Sequence, residues 1–79
     1  MKNYGYKVCY CELGKRRFVY RFLTYTYNDA RNMLLYYLKY PPKCAKNNRE
    51  LIKPIWKIIP ISRREVKAGI WREPPFEGH

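Results

Sequence analysis

Arg16–Lys39, RRFVYRFLTYTYNDARNMLLYYLK, carries two hydrophobic periods back to back. From Arg17 to Tyr25 the side chains alternate, with Phe18, Tyr20 and Phe22 on one face and Arg17, Val19, Arg21 and Leu23 on the other. A period of two is that of a β-strand. From Ala30 the apolar spacing lengthens, and Ala30, Met33, Leu34, Tyr37 and Leu38 draw one stripe along a helix of about three turns. Thr26 and Asp29 have the form of a capping box at its start, with Asn28 as the cap one register later. Tyr40-Pro41-Pro42 ends it, because a proline disfavours helical geometry in the residue before it.

Working outward, Tyr4–Cys11 alternates in the same way, with Tyr4, Tyr6, Val8 and Tyr10 against Gly5, Lys7, Cys9 and Cys11. Glu12-Leu13-Gly14-Lys15 supplies a glycine for a short connection, so the two strands are expected to form an antiparallel hairpin. A third strand is expected over Glu50–Pro60, with Ile52, Trp56 and Ile58 on one face and Lys53, Ile55, Lys57 and Ile59 on the other. Pro54 and Pro60 cannot donate to a ladder, which assigns this strand to an edge or leaves its ends unpaired. Pro41–Asn48 reads as a basic loop.

Ser62-Arg63-Arg64-Glu65 has the capping-box form and starts a short helix running through Val66 and Ala68 toward Ile70, with Gly69 able to end it early. Pro74 and Pro75 stop any later helix, and Trp71 and Phe76 are expected to anchor an extended tail. The expected fold class is α+β. It is a small β-β-α-β domain over residues 1–76, a three-stranded, mainly antiparallel sheet with one amphipathic helix packed on one face. Glu77-Gly78-His79 resembles the remnant of a purification tail and is left out of this reading.

Seventy-nine residues bury only about 60% of the unfolded surface, so the core is small. An apolar fraction of 47%, with nine tyrosines and two tryptophans, is nevertheless too rich for a disordered chain. Lys+Arg 17 against Asp+Glu 6 leaves a net charge of +11 and a pI near 9.8, which makes anionic surfaces the default partner class and also favours solubility. Cys9, Cys11 and Cys44 lack zinc-finger spacing, and no secretory leader or span of ~20 apolar residues is apparent, so reduced thiols in a soluble, cytoplasmic protein are expected. Asp29 looks committed to a helix start, and Glu12, Glu50, Glu65 and Glu73 are scattered. With no phosphate-binding loop or paired carboxylates either, no catalytic role, cofactor or metal is expected.

If the helix covers the Phe18, Tyr20, Phe22 face, the opposite face carries Lys7, Arg17, Arg21 and Lys57, long cations that can reach phosphates, with Val19, Leu23 and Ile55 between them. Arg63 and Arg64, beside Lys67 and Arg72, form a second basic cluster at the unfavourable end of a helix dipole. The expected partner is nucleic acid, DNA before RNA, because alternation commits many of the tyrosines to the core and leaves few as base-stacking platforms. The alternative is a protein partner or a second copy, docked on Leu35, Tyr36 and Tyr40 outside the helix stripe or on the edge strand. The Tyr-rich strands and the Trp56-Lys57-Ile58-Ile59 strand, across residues 4–61, make the chain similar to small basic proteins of bacterial phages and integrative elements. That resemblance implies an accessory role and no particular chemistry.

Overall fold

A computed structural model describes residues 4–44 and 47–72. Strands β1 (Tyr6–Cys11) and β2 (Val19–Thr24) form the hairpin, helix α1 (Tyr27–Lys39) follows, and β3 (Ile55–Pro60) leads into the short helix α2 (Arg63–Lys67) and a 3₁₀ turn over Ile70–Arg72. The sheet order is β2-β1-β3, with β1 antiparallel to both neighbours. Helix α1 therefore leaves one edge of the sheet, crosses β1, and returns the chain to the opposite edge, touching all three strands. The prolines flanking β3 lie on an edge strand, where a missing donor is tolerated.

Local chemistry sets the ends of these elements. Thr26 caps α1 by accepting the Asp29 N–H at 3.1 Å, and the Tyr40 N–H closes it on the Tyr36 carbonyl at 2.7 Å before the prolines begin. In α2 the capping box is complete: the Glu65 N–H donates to Ser62 Oγ at 3.2 Å, and the Ser62 N–H donates to Glu65 Oε1 at 2.9 Å. Gly69, at φ 89°, ends that helix one residue past its cap. Strand β3 starts only at Ile55, not at Glu50, because Lys53 adopts φ 41° and breaks the extended run ahead of Pro54. Ile52, expected on one strand face with Trp56 and Ile58, lies ahead of the strand and is exposed.

The hairpin departs from the sequence reading at one residue. Val8 lies opposite Phe22 but Cys9 lies opposite Tyr20, so Arg21 is the extra residue of a β-bulge. Beyond it the alternation inverts. Phe22 remains under α1, whereas Tyr20 packs on the far face with Leu23, and Val19 comes to the helix side opposite Tyr10. The connection is also longer than a tight turn, covering residues 12–18.

Each sheet face consequently carries a packed cluster. On one, Val8, Ala30 and Tyr37 are buried with Tyr6, Phe22, Met33, Leu34, Trp56 and Ile58 packed around them. On the other, Leu23, Ile61 and Ile70 are buried among Tyr4, Tyr20, Val66 and Trp71, brought there by α2 and the 3₁₀ turn. The Tyr37 and Trp56 rings stack at 5.0 Å and mark the rotation of α1, with Ala30 fully buried in the same cluster. That rotation turns Leu38, assigned to the stripe by spacing, out to 57% exposure. Trp71 is an anchor as expected, stacked on Tyr25 at 4.2 Å, while Phe76 lies outside the described residues.

Gly5 makes the Trp71 contact attainable. At φ 122°, a Cβ there would come within 2.6 Å of the Thr24 carbonyl oxygen and 2.7 Å of the Trp71 ring. Gly5→Ala should therefore destabilise the fold by more than the ~1–3 kcal/mol of backbone strain alone. Gly14→Ala, also at positive φ but with nothing within 4 Å, should cost the strain term only. Urea denaturation of the two variants tests this, and equal losses would contradict the packing argument.

Candidate nucleic-acid interface

At the end of β1 the chain turns through Glu12, the best-connected side chain among the described residues. Its carboxylate takes a two-pronged contact from Arg49, Nη1 to Oε2 at 2.6 Å and Nη2 to Oε1 at 2.9 Å, and accepts the Ile52 N–H at 2.9 Å. The Leu13 N–H donates in turn to the Ile52 carbonyl at 3.0 Å. These bonds hold the segment after α1 against the sheet, where Lys43 and Glu50 form an isolated antiparallel bridge. The hydrogen bonds from Arg49 and then from Ile52 hold the Glu12 carboxyl down at about 2.

Between this latched segment and the β1–β2 connection lies a cleft of about 530 Å³. Tyr10 and Val19 supply its apolar wall, and Lys15, Arg16, Arg17 and Arg49 its cations. Arg49 is neutralised by Glu12, but Lys15, Arg16 and Arg17 make no ion pair among the described residues and are exposed. Gly14, at φ 84°, and the Lys15 N–H to Glu12 carbonyl bond at 3.0 Å set the turn that presents them.

The four cations assigned to one open sheet face are dispersed. Lys7 is on the far face, yet its Nζ is 2.5 Å from Glu65 Oε2, so α2 covers and neutralises it. Burial pushes the Glu65 carboxyl up, but the hydrogen bonds from Lys7 and Ser62 outweigh it and the net shift is downward. Arg21 is the bulge residue and turns to the helix side, where its charge faces Tyr37 and Tyr10 and its Nε is buried without a hydrogen-bond partner. Arg17 joins the cleft. Only Lys57 keeps a free position on the far face, its Nζ 5.4 Å from the centre of the Phe18 ring.

Arg63 and Arg64 are exposed on α2 together with Lys67, forming a separate shallow basic patch. Leu35, Tyr36 and Tyr40 are exposed as expected, but they do not form one surface. At about 100° per residue, Leu35 shares a flank of the helix with Leu38, while Tyr36 falls on the other flank beside Tyr40. The Tyr36 and Tyr40 ring centres are 5.2 Å apart. Lys15, Arg16 and Phe18 escaped the sequence reading as site residues. The signal for the first two was the basic run directly after Gly14.

Cys9 is buried and its thiol is pushed up to about 11 by that burial, which leaves it unreactive at neutral pH. Cys11 donates to the Lys15 carbonyl at 3.3 Å. Among the described residues no His, Cys, Asp or Glu cluster has metal-binding form, and no helix is long and apolar enough to cross a membrane. No family model matches the chain, and neither do any curated protein or solved structure.

The Glu12 latch has a pH signature. Its folded value of about 2 lies below the ordinary 4.5, so its contribution to stability is complete above pH 4.5 and is lost as pH falls toward 2. Measured by urea denaturation across that window, the gap between the native protein and Glu12→Gln should narrow steadily as pH falls. A gap independent of pH would rule out the ion pair as its source.

Proposed function

We propose that the chain is an accessory nucleic-acid-binding protein that grips a phosphodiester backbone at the open end of its sheet. The observation that carries this reading is the run Lys15, Arg16 and Arg17, consecutive exposed cations that make no ion pair among the described residues, presented at the rim of a cleft by the turn at Gly14. Like charges in sequence repel one another, and a polyanion relieves that repulsion while releasing its own counterions. The wall of Tyr10 and Val19 gives sugar and base edges an apolar surface beside the cations. The role is one of binding, without catalysis. The setting we favour is a phage or integrative element, on the similarity of its strands to such proteins.

A second reading has a specific observation behind it. Tyr36 and Tyr40 are each more than half exposed, and α2 packs on the opposite side of the sheet and leaves them uncovered. A protein partner docking on that flank is the competing function.

Binding to DNA should weaken steeply as salt rises. Replacing Lys15, Arg16 and Arg17 together with alanine should reduce the salt slope by about three units, one per lost phosphate contact. Melting temperature should be unaffected, because all three side chains are exposed. A fluorescence-anisotropy salt series on the native chain and the triple variant decides the matter. An unchanged slope would move the contact elsewhere, and the Arg63→Ala, Arg64→Ala double variant would show whether the α2 patch carries it.

A further inference from the structure

We infer that the ligand is single-stranded nucleic acid, with one unstacked base received on the Phe18 ring. This rests on the binding reading above and adds the class of ligand. Helix α2 and the 3₁₀ turn cover the far sheet face only around Tyr20, Leu23 and Lys7. Toward the other end that face continues through Phe18, 38% exposed, and Ile55, 66% exposed, with Lys57 beside the Phe18 ring. An aromatic ring exposed singly on a surface needs no explanation. Phe18 differs in its surroundings: the Lys57 ammonium is 5.4 Å from its ring centre, and the ring stands at the end of the connection that carries Lys15, Arg16 and Arg17, whose side chains line the cleft on the other face.

Charge complementarity selects the occupant. A ring that carries a cation from β3 and stands at the end of the basic β1–β2 connection matches a ligand with anionic phosphates and flat bases at every repeat, and fits a neutral apolar peptide poorly. Single strands present those bases already unstacked. In a duplex the bases are paired inside, and exposing one costs a few kcal/mol. Bases meet an aromatic side chain with little regard to sequence, so the expected preference is for strandedness.

The test uses the full chain with a fluorescein-labelled thymidine oligonucleotide, its RNA counterpart and a DNA duplex of equal length. The native protein should bind the single strands more tightly than the duplex. Phe18→Leu should weaken single-strand binding by about five- to a hundredfold, the effect of losing one base–aromatic stack, and leave duplex binding unchanged. Phe18→Tyr, which keeps the ring, should retain it. Should Phe18→Leu prove unfolded by circular dichroism, a Phe18→Trp variant replaces it, and quenching of the added indole by the oligonucleotide reads stacking directly. Equal affinity for duplex and single strand, an equal loss on both with Phe18→Leu, or an unquenched indole would overturn the inference. If the Lys15, Arg16, Arg17 variant still loses affinity in those cases, the binding reading survives alone. If it loses none, both fall.

Discussion

One extra residue in β2 governs where the side chains of this protein point. The bulge at Arg21 reverses the parity of the strand between Phe22 and Tyr20, so each sheet face receives a mixture of the two sets that strict alternation would keep apart. Phe22 stays under α1, while Tyr20 and Phe18 pass to the far face. Tyr20 joins the second hydrophobic cluster there and gives α2 and the 3₁₀ turn something to pack against. A regular strand would have placed Arg21 on that face and left it charged and open.

The same constraint explains how so short a chain fills both sides of a sheet. Each cluster has few fully buried members, and half-buried aromatic rings extend it. Tyr37 on Trp56, Tyr10 on Trp56 at 5.2 Å, and Tyr25 on Trp71 act as broad contacts that a small domain can make at low side-chain entropy.

Two of the acids, Glu12 and Glu65, organise the chain. Glu12 fastens the end of the hairpin to the segment ahead of β3, and Glu65 both caps α2 and holds it to Lys7 on the sheet. Each does so by neutralising one cation, while Lys15, Arg16, Arg17, Arg63, Arg64 and Lys67 stay exposed. The β1–β2 connection and the exposed side of α2 collect most of what is grouped, which is why the binding reading settles on the sheet's open end.

By itself the sequence determined the element order, both helix starts, the proline stop of α1 and the excess of basic charge. Each of these is set by neighbours in the chain: a cap needs a residue three positions away, and a proline acts on the residue before it. The expected face of Lys7, Arg17, Arg21 and Lys57 was not legible, because it required an unbroken ladder, and a bulge depends on how one strand fits another. The pairing of Lys7 with Glu65 and of Glu12 with Arg49 joins residues far apart in sequence, so only the tertiary structure decided which cations remain free. The turning out of Leu38 followed from the rotation of α1 against the sheet, marked by the Tyr37–Trp56 stack across elements, which no period within the helix could supply.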